Sequence, residues 1–249
     1  MNIFGLTDKG RYRAENQDAF DISAPGGATL AVVCDGMGGA AAGRLASDMA
    51  IKLFAGWVKN ELEKDDGSPD TDVLRQAANV ANRRIFHFAN DAEEYLGMGT
   101  TLVAGLFRPD TVTFVNVGDS RAYRIARDGI VQITKDHSLV QQMVDRGELT
   151  PAQARRHPRR NIITRAVGSE AFVTSDLTEV PVREGDVFLL CSDGLTNAVE
   201  EAELHRLVLA ADDAEIACRS LVEKALENNA RDNVTAIVVD PGKGGGANG

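Results

Sequence analysis

Residues 29–39 read TLAVVCDGMGG, and the interpretation of the whole chain begins from this stretch. Its apolar run at residues 30–34 predicts a buried strand, which ends in Asp35-Gly36 with two more glycines before an alanine-rich segment. A carboxylate at the end of a buried strand is unfavourable unless a positive charge meets it. The chain must therefore supply, or bind, a cation at Asp35.

The composition sets limits on the class of protein. The chain has 249 residues, 43% of them hydrophobic, which is enough for one domain with a sizeable core. With 37 acidic against 27 basic residues its net charge is −10, so we expect no nucleic-acid partner. The N-terminal residues lack the pattern of a signal peptide, and no apolar run is long enough to span a membrane. We therefore expect a cytoplasmic protein without a membrane partner.

Hydrophobic periodicity predicts strands gathered between two helix pairs. The first helix pair falls between Leu45 and Phe88 with a break at residues 65–71, and the second covers residues 200–209 and 214–227. Strands are predicted at residues 2–7, 19–22, 100–107, 111–117, 122–126, 130–134, 173–180, 187–191 and 234–239. Ser138 and Thr150 are predicted to cap short helices. This order indicates an α+β fold, with one domain over residues 1–240 and a flexible glycine-rich tail at residues 241–249.

Aspartates recur at the ends of the predicted strands. Asp35, Asp119, Asp193 and Asp232 each adjoin a strongly apolar strand, and Asp18 precedes a weaker one. A single aspartate of this kind is ordinarily a turn residue, but a recurring set suggests convergence. Converging carboxylates repel one another unless divalent cations lie between them, and oxygen ligands alone favour Mg²⁺ or Mn²⁺ over zinc. Two such ions lower the pKa of a water between them and clamp the oxygens of an in-line displacement.

Phosphoester hydrolysis also needs a group that binds the phosphate. Arginine suits this role because its planar fork matches phosphate oxygens. Arg11 and Arg13 lie just before Asp18, and on position alone either could face the ions, or be an ordinary solvated residue.

Other motifs have competing interpretations. Residues 36–41 match the GxGxxA dinucleotide fingerprint, but Asp35 directly before the first glycine would repel a pyrophosphate. Of the three cysteines, Cys34 and Cys191 lie near the aspartates and are predicted to be core residues, and the wide cysteine spacing argues against disulfides or a zinc site. His137 is predicted to be structural or capping rather than catalytic. The arginines in residues 155–160 form a basic loop, either merely solvated or facing a phosphoprotein.

Taken in their order along the chain, these motifs resemble those of the PPM/PP2C family of metal-dependent serine/threonine protein phosphatases. The resemblance covers about residues 1–240 and is carried by Arg13 and Asp18, Asp35-Gly36 with Gly38-Gly39, Gly99-Thr100-Thr101, Gly118-Asp119-Ser120-Arg121, Ser192-Asp193-Gly194 and Asp232-Asn233. It implies a four-layer αββα sandwich, with two central, mainly antiparallel β-sheets flanked by helix pairs.

The resemblance also implies a set of metal ligands. Asp35 would bridge two core Mg²⁺ or Mn²⁺ ions, and the carbonyl of Gly36 would bind one of them. Asp18, Asp193 and Asp232 would complete the core shell, directly or through water.

Further roles follow from the same resemblance. Asp119 with Asp193 would hold a third ion, and Arg13, rather than Arg11, would bind substrate phosphate. Residues 150–165 would form a mobile flap over the site. Because Asn161 stands near the place of a flap serine in some bacterial relatives, the third site is expected to be weak.

The implied activity is hydrolysis of phosphoserine and phosphothreonine by direct attack of a water that bridges the ions. Animal members carry His where this chain has Met37, so metal-bound water is expected to protonate the leaving group here. The implied partners are phosphorylated proteins, including a bacterial serine/threonine kinase or its targets, and the chain is expected to be monomeric. The alternative is a catalytically silent binding module with the same fold.

Overall fold

The computed structural model describes residues 1–64 and 67–242. The described strands are β1 (Asn2–Asp8), β2 (Asp18–Ser23), β3 (Thr29–Met37), β4 (Gly99–Thr100), β5 (Leu102–Phe107), β6 (Thr111–Val117), β7 (Arg121–Ala126), β8 (Gly129–Gln132), β9 (Asp176–Pro181), β10 (Val187–Cys191) and β11 (Val234–Asp240). The described α-helices are α1 (Ala40–Lys64), α2 (Asp70–Asp91), α3 (Leu139–Asp145), α4 (Pro151–Arg155), α5 (Asp193–Ala198), α6 (Glu201–Leu209) and α7 (Ala214–Glu227). The break predicted at residues 65–71 and the tail predicted at residues 241–249 lie partly outside the described residues.

Two antiparallel sheets form the centre of the fold. One has the strand order β1-β11-β10-β7-β8, and the other has the order β2-β3-β5-β6-β9 with β4 beside β3. Side chains between the sheets include Ala31, Val33, Phe114, Phe188 and Ile237, all buried. The inner faces of the two sheets therefore share one apolar layer.

The helices cover the outer faces of both sheets. Leu30, Val32 and Cys34 of β3 point away from the other sheet and pack with the buried residues of α1 and α2. On the opposite side α7 packs on β1 and β11, and α6 packs on β7 and β8. Because β3 is covered on both faces, all of its residues from 30 to 34 are apolar rather than alternating with polar ones. The predicted four-layer αββα architecture is confirmed.

Local predictions are mostly confirmed. The turn before Gly129 joins β7 to β8, Ser138 caps α3, and Thr150 forms a reciprocal capping box with Gln153. One α-helix was not predicted: Asp193 begins the short helix α5 instead of occupying a simple turn. β9 starts at Asp176, later than predicted, and the strand predicted at residues 100–107 is divided at Thr101.

Candidate active site

The five aspartates lie at one end of the two stacked sheets. Asp18 begins β2 and pairs across the strands with Asp35 near the end of β3. Asp119 lies between β6 and β7, Asp193 lies two residues after the end of β10, and Asp232 lies just before β11. Antiparallel strands bring these ends together, so the predicted convergence is present.

A cleft of about 440 Å³ opens over this end of the sheets. Its walls include Asp35, Asp119, Asp193 and Asp232, together with Arg13. The fifth aspartate is buried beside the cleft and is not part of its wall.

Two buried hydroxyl groups hold the carboxylate of Asp18. Ser192 Oγ donates to its Oδ2 at 2.7 Å, and Thr235 Oγ1 donates to the same oxygen at 2.6 Å. Its Oδ1 is buried without a hydrogen-bond partner, and so is Oδ1 of Asp193. Two orphaned carboxylate oxygens in one buried cluster fit divalent cations, which would satisfy both of them.

The pKa values reflect the same unbalanced charge. Burial first, and then the charges of neighbouring aspartates, raise the pKa of Asp18 to about 7 and that of Asp193 to about 6. Burial also raises the pKa of Asp35 and that of Asp119 well above the ordinary value, assisted by Asp18 and Asp193 respectively. Without cations, these carboxyl groups are driven toward their neutral forms.

Within the described residues, no three His, Cys, Asp or Glu side chains converge tightly enough to hold one ion by themselves. Mg²⁺ characteristically keeps several waters and takes only one or two carboxylates from a protein. The carboxylate cluster therefore suits ions that carry part of their shell as water, and it does not resemble a closed structural metal cage.

Gly36 allows the backbone to approach the helix at this point. A Cβ atom at Gly36 would lie 2.0 Å from the carbonyl oxygen of Gly43 in α1. The Gly36 N–H donates to the carbonyl of Gln17 at 3.1 Å, which holds β3 in place beside the cleft. Glycine is thus required by close packing at position 36, and also at Gly43, where a Cβ atom would lie 2.9 Å from the Gly36 carbonyl oxygen.

Arg13 lies at the rim of the cleft. Its Nη2 donates to Asp232 Oδ2 at 2.5 Å, and the side chain is about half exposed. Arg11 is exposed and is not part of the cleft wall. The geometry therefore places Arg13, and not Arg11, at the cleft. Position in the sequence alone had left this choice open.

Hydroxyl groups position Asp35 in a way that the sequence did not reveal. Thr101 Oγ1 accepts from the Asp35 N–H at 2.9 Å and is hydrogen-bonded to Ser120 Oγ at 2.7 Å. Thr100 Oγ1 donates to the Asp35 carbonyl at 2.9 Å. The Gly-Thr-Thr motif is visible in the sequence, but its contact with a strand more than 60 residues away is visible only in the fold.

His137 anchors the turn that carries Asp119. Its Nδ1 accepts from the Gly118 N–H at 3.1 Å, and the backbone N–H of His137 donates to the Gly118 carbonyl at 2.9 Å. Its Nε2 lies 3.2 Å from Asp176 Oδ2 and 3.1 Å from Arg165 Nη1. This confirms a structural role, and burial lowers the pKa of the imidazole.

The remaining alternatives are resolved by packing. Cys34 and Cys191 are fully buried, and burial raises the pKa of both thiols, so they are core residues and not nucleophiles. β3 pairs antiparallel with both of its long neighbours, which excludes the βαβ unit that a dinucleotide fingerprint requires. Among the described helices, none has the length and apolar content needed to cross a membrane.

Comparison with known proteins shows which family this fold and sequence belong to. Residues 10–227 match the family model described as protein phosphatase 2C. The serine/threonine phosphatase Stp of Listeria innocua is 36% identical over 235 residues, which cover 94% of this chain and 93% of that protein.

Solved structures show the same similarity. The serine/threonine phosphatase Stp1 from Staphylococcus aureus superimposes with a TM-score of 0.88 at 38% identity, covering 96% of this chain and 94% of that one. The catalytic domain of the serine/threonine protein phosphatase PstP, in complex with two manganese ions, superimposes with a TM-score of 0.82 at 34% identity, covering 95% and 96%. By fold and sequence similarity the chain is a bacterial-type protein phosphatase. It belongs to the protein phosphatase 2C family, and its function is that of a serine/threonine protein phosphatase.

Proposed function

We propose that this chain hydrolyses phosphoserine and phosphothreonine in proteins with the help of two core Mg²⁺ or Mn²⁺ ions. The observation that carries the proposal is the convergence of five buried or cleft-lining aspartates, two of them with an orphaned oxygen, beside Arg13. A PstP structure that contains two manganese ions supports the choice of metal.

The ligand roles are assigned residue by residue. Asp35 would bridge the two ions with the Gly36 carbonyl on one of them, and Asp193 and Asp232 of the cleft wall would complete the shell directly or through water. Asp18, buried beside the cleft with an orphaned Oδ1, would do so as well. When bound, the ions would neutralise the phosphate and supply a water of lowered pKa.

A weaker third site is assigned to Asp119 and Asp193. Both line the cleft, as does Asn161, whose neutral amide is a poorer ligand than a carboxylate.

Arg13 would hold the phosphate group of the substrate. In the absence of other cations its guanidinium neutralises Asp232. A cation on Asp232 would weaken that pair and leave the fork available for two phosphate oxygens. The leaving-group proton is assigned to water, because the described wall of the cleft has Met37 and no His, and because its aspartates would be ionised as metal ligands.

The test is hydrolysis of a phosphothreonine peptide and of p-nitrophenyl phosphate, with Mn²⁺, with Mg²⁺ and with a chelator. We expect activity that requires the added ion. Tight peptide binding without turnover under every metal condition would instead support the silent module. The monomeric state, the cytoplasmic location and the pairing with a serine/threonine kinase are further proposals, which light scattering, fractionation and genomic neighbourhood would test.

A further inference from the structure

A second cleft continues from the catalytic one on the side of Asp232. It has a volume of about 390 Å³, and Asn161 and Asp232 belong to the walls of both clefts. We name it the Arg231 arm, and the residues used below that line it are Pro158, Arg160, Asn161, Asn197, Asn229 and Arg231. A peptide whose phosphoresidue lies in the catalytic cleft can therefore continue directly into this arm.

Two arginines of the arm have no partner of their own. In residues 1–64 and 67–242, neither Arg160 nor Arg231 forms an ion pair or a side-chain hydrogen bond. Arg13, by contrast, is paired with Asp232 and is assigned to the phosphate that is hydrolysed. The arm thus presents guanidinium groups that the proposed chemistry leaves unused.

The backbone that carries Arg231 is firmly held. The Ala230 N–H donates to the carbonyl of Ala225 at 2.9 Å, and Ala230 itself is buried. Asn233 Nδ2 donates to the carbonyls of Lys9 and Glu15 at 2.8 and 3.0 Å. Because the residues on both sides are fixed, the exposed Arg231 side chain projects from a rigid base, which limits the entropy lost on binding.

A further cleft, on the other side of the aspartate cluster from the Arg231 arm, is lined by more acidic side chains. This second arm has a volume of about 510 Å³, and its walls include Asp119, Asp193 and Glu201. Two of its three arginines are already engaged: Arg121 pairs with Asp136 at 2.6 Å, and Arg155 donates to the Thr196 carbonyl at 3.1 Å. The third, Arg160, lines both arms, so Arg231 is the cation that distinguishes them. An anionic side chain is therefore favoured in the Arg231 arm over the second arm.

We propose that the Arg231 arm selects phosphopeptides that carry another anionic group, a carboxylate or a second phosphate, within about three residues of the hydrolysed one. This inference rests on the proposed function. Arg231 and Arg160 would share the anion, and the amides of Asn197 and Asn229 would be available to the peptide backbone. The basic loop at residues 155–160 thereby contributes to substrate selection through Arg160.

The test compares kcat/KM among matched phosphothreonine peptides. The reference peptide has alanine flanks, and the others carry aspartate, lysine or a second phosphothreonine on the N-terminal or the C-terminal side. For the wild-type protein we expect an anionic flank on one side to raise kcat/KM about threefold to tenfold at low salt, and added NaCl to reduce this ratio. A gain with aspartate identifies a carboxylate as sufficient, and a gain with phosphothreonine alone identifies a phosphate.

The variants Arg231→Ala and Arg160→Ala should each bring the ratio toward one, and Arg231→Glu should make the lysine peptide the better substrate. Arg156→Ala is the matched control, because Arg156 is exposed on the same segment but lines neither arm, so its ratio should stay at the wild-type value. Thermal midpoints confirm that each variant is folded, and Arg231→Gln provides a milder second change.

Equal kcat/KM for all peptides, or an anionic preference that survives Arg231→Glu in a folded protein, would overturn the subsite while leaving the phosphatase function intact. Absence of hydrolysis with every peptide and both ions would overturn the subsite and the proposed function together.

Discussion

Asp18 and Asp35 are direct partners in the register of the antiparallel pair β2–β3, so two carboxyl groups face each other at the end of a buried layer. Like charges opposite each other destabilise a strand pair, and burial makes the repulsion stronger. The metal-free fold therefore carries a local destabilisation that a bound cation would remove. Several expected properties of this protein depend on that relationship.

Replacing Asp35 with Asn should abolish phosphatase activity and stabilise the metal-free protein. The change removes the proposed bridging ligand and also one of the mutually repelling charges, a gain of about 1–3 kcal/mol in the free energy of unfolding. Activity assays with Mn²⁺ and thermal unfolding with a chelator check the two effects. Asp21→Asn, on the neighbouring strand β2 but outside the cleft, is the control and should keep full activity. Full activity in Asp35→Asn would contradict the assignment.

Arg13→Ala should raise KM more than it lowers kcat, because the lost interaction is mainly with the phosphate of the bound substrate. A charge-assisted, bidentate contact of this kind predicts a loss of about tenfold to a hundredfold in kcat/KM. The matched control is Arg11→Ala, which removes an arginine two residues away that is not part of the cleft wall. An unchanged KM in Arg13→Ala, or an equal effect of both variants, would contradict the role of Arg13.

The metal-free protein should become less stable as the pH rises from 5.5 to 8. The pKa of Asp18 is raised to about 7 and that of Asp193 to about 6, whereas both are near 3.8 when the chain is unfolded. Their contribution is therefore complete below the unfolded pKa and is lost as the pH rises through 6 and 7. Between pH 5.5 and 8 the loss is about 3 kcal/mol in total, or roughly 8 °C in thermal midpoint.

Thermal unfolding in a chelator at pH 5.5, 6.5 and 8 measures this slope. Asp18→Asn should flatten it, and saturating Mn²⁺ should reverse it, because metal binding requires the deprotonated carboxylates. A metal-free protein that is most stable at pH 8 would be inconsistent with the raised pKa values.

His137→Ala should increase the Mn²⁺ concentration needed for half-maximal activity. The substitution leaves the Gly118 N–H without its acceptor at a cost of about 1–3 kcal/mol and loosens the turn that carries Asp119. His137→Asn, whose side-chain oxygen can take the place of Nδ1 as acceptor, should restore part of the wild-type metal dependence. A lower thermal midpoint with an unchanged metal dependence would mean that His137 supports only the fold.

Gly36→Ala should destabilise the protein by about 3 kcal/mol or more, since its methyl group would collide with the Gly43 carbonyl. Gly56→Ala is the contrasting control, because a Cβ at this exposed position of α1 meets nothing within 4 Å. That control should stabilise the helix by about 0.5–1 kcal/mol. Denaturant unfolding of both variants measures the difference, and similar midpoints would show that the close approach of β3 to α1 is not required.

Much of the fold could be predicted from local signals. Apolar runs, Asp-Gly turns and capping residues such as Ser138 depend on neighbours a few residues away, so their pattern is readable in the chain. The short helix α5 was missed because six residues give too little periodicity, and because Ser192-Asp193-Gly194 has the composition of a turn.

The candidate site was predictable in its residue types but not in its contacts. Asp35 and the other aspartates are conspicuous because a charge beside an apolar strand conflicts with burial. The hydroxyl groups of Thr235 and Ser192, which donate to Asp18, could not be recognised in the sequence as site residues, since threonine and serine are ordinary in strands and turns. The Arg231 arm likewise combines three segments that are distant in the chain, within residues 158–161, 194–198 and 228–232.

The sequence by itself determined that a buried strand within residues 29–39 carries an aspartate near its end and that similar aspartates recur, and it predicted cations beside them. These conclusions need only the local conflict between apolar strands and charge. Only the tertiary structure decided that the strand ends share one cleft, that Arg13 rather than Arg11 stands at its rim, and that Arg231 faces an open arm. Those facts depend on the stacking of two antiparallel sheets, which brings together residues that are distant in the chain.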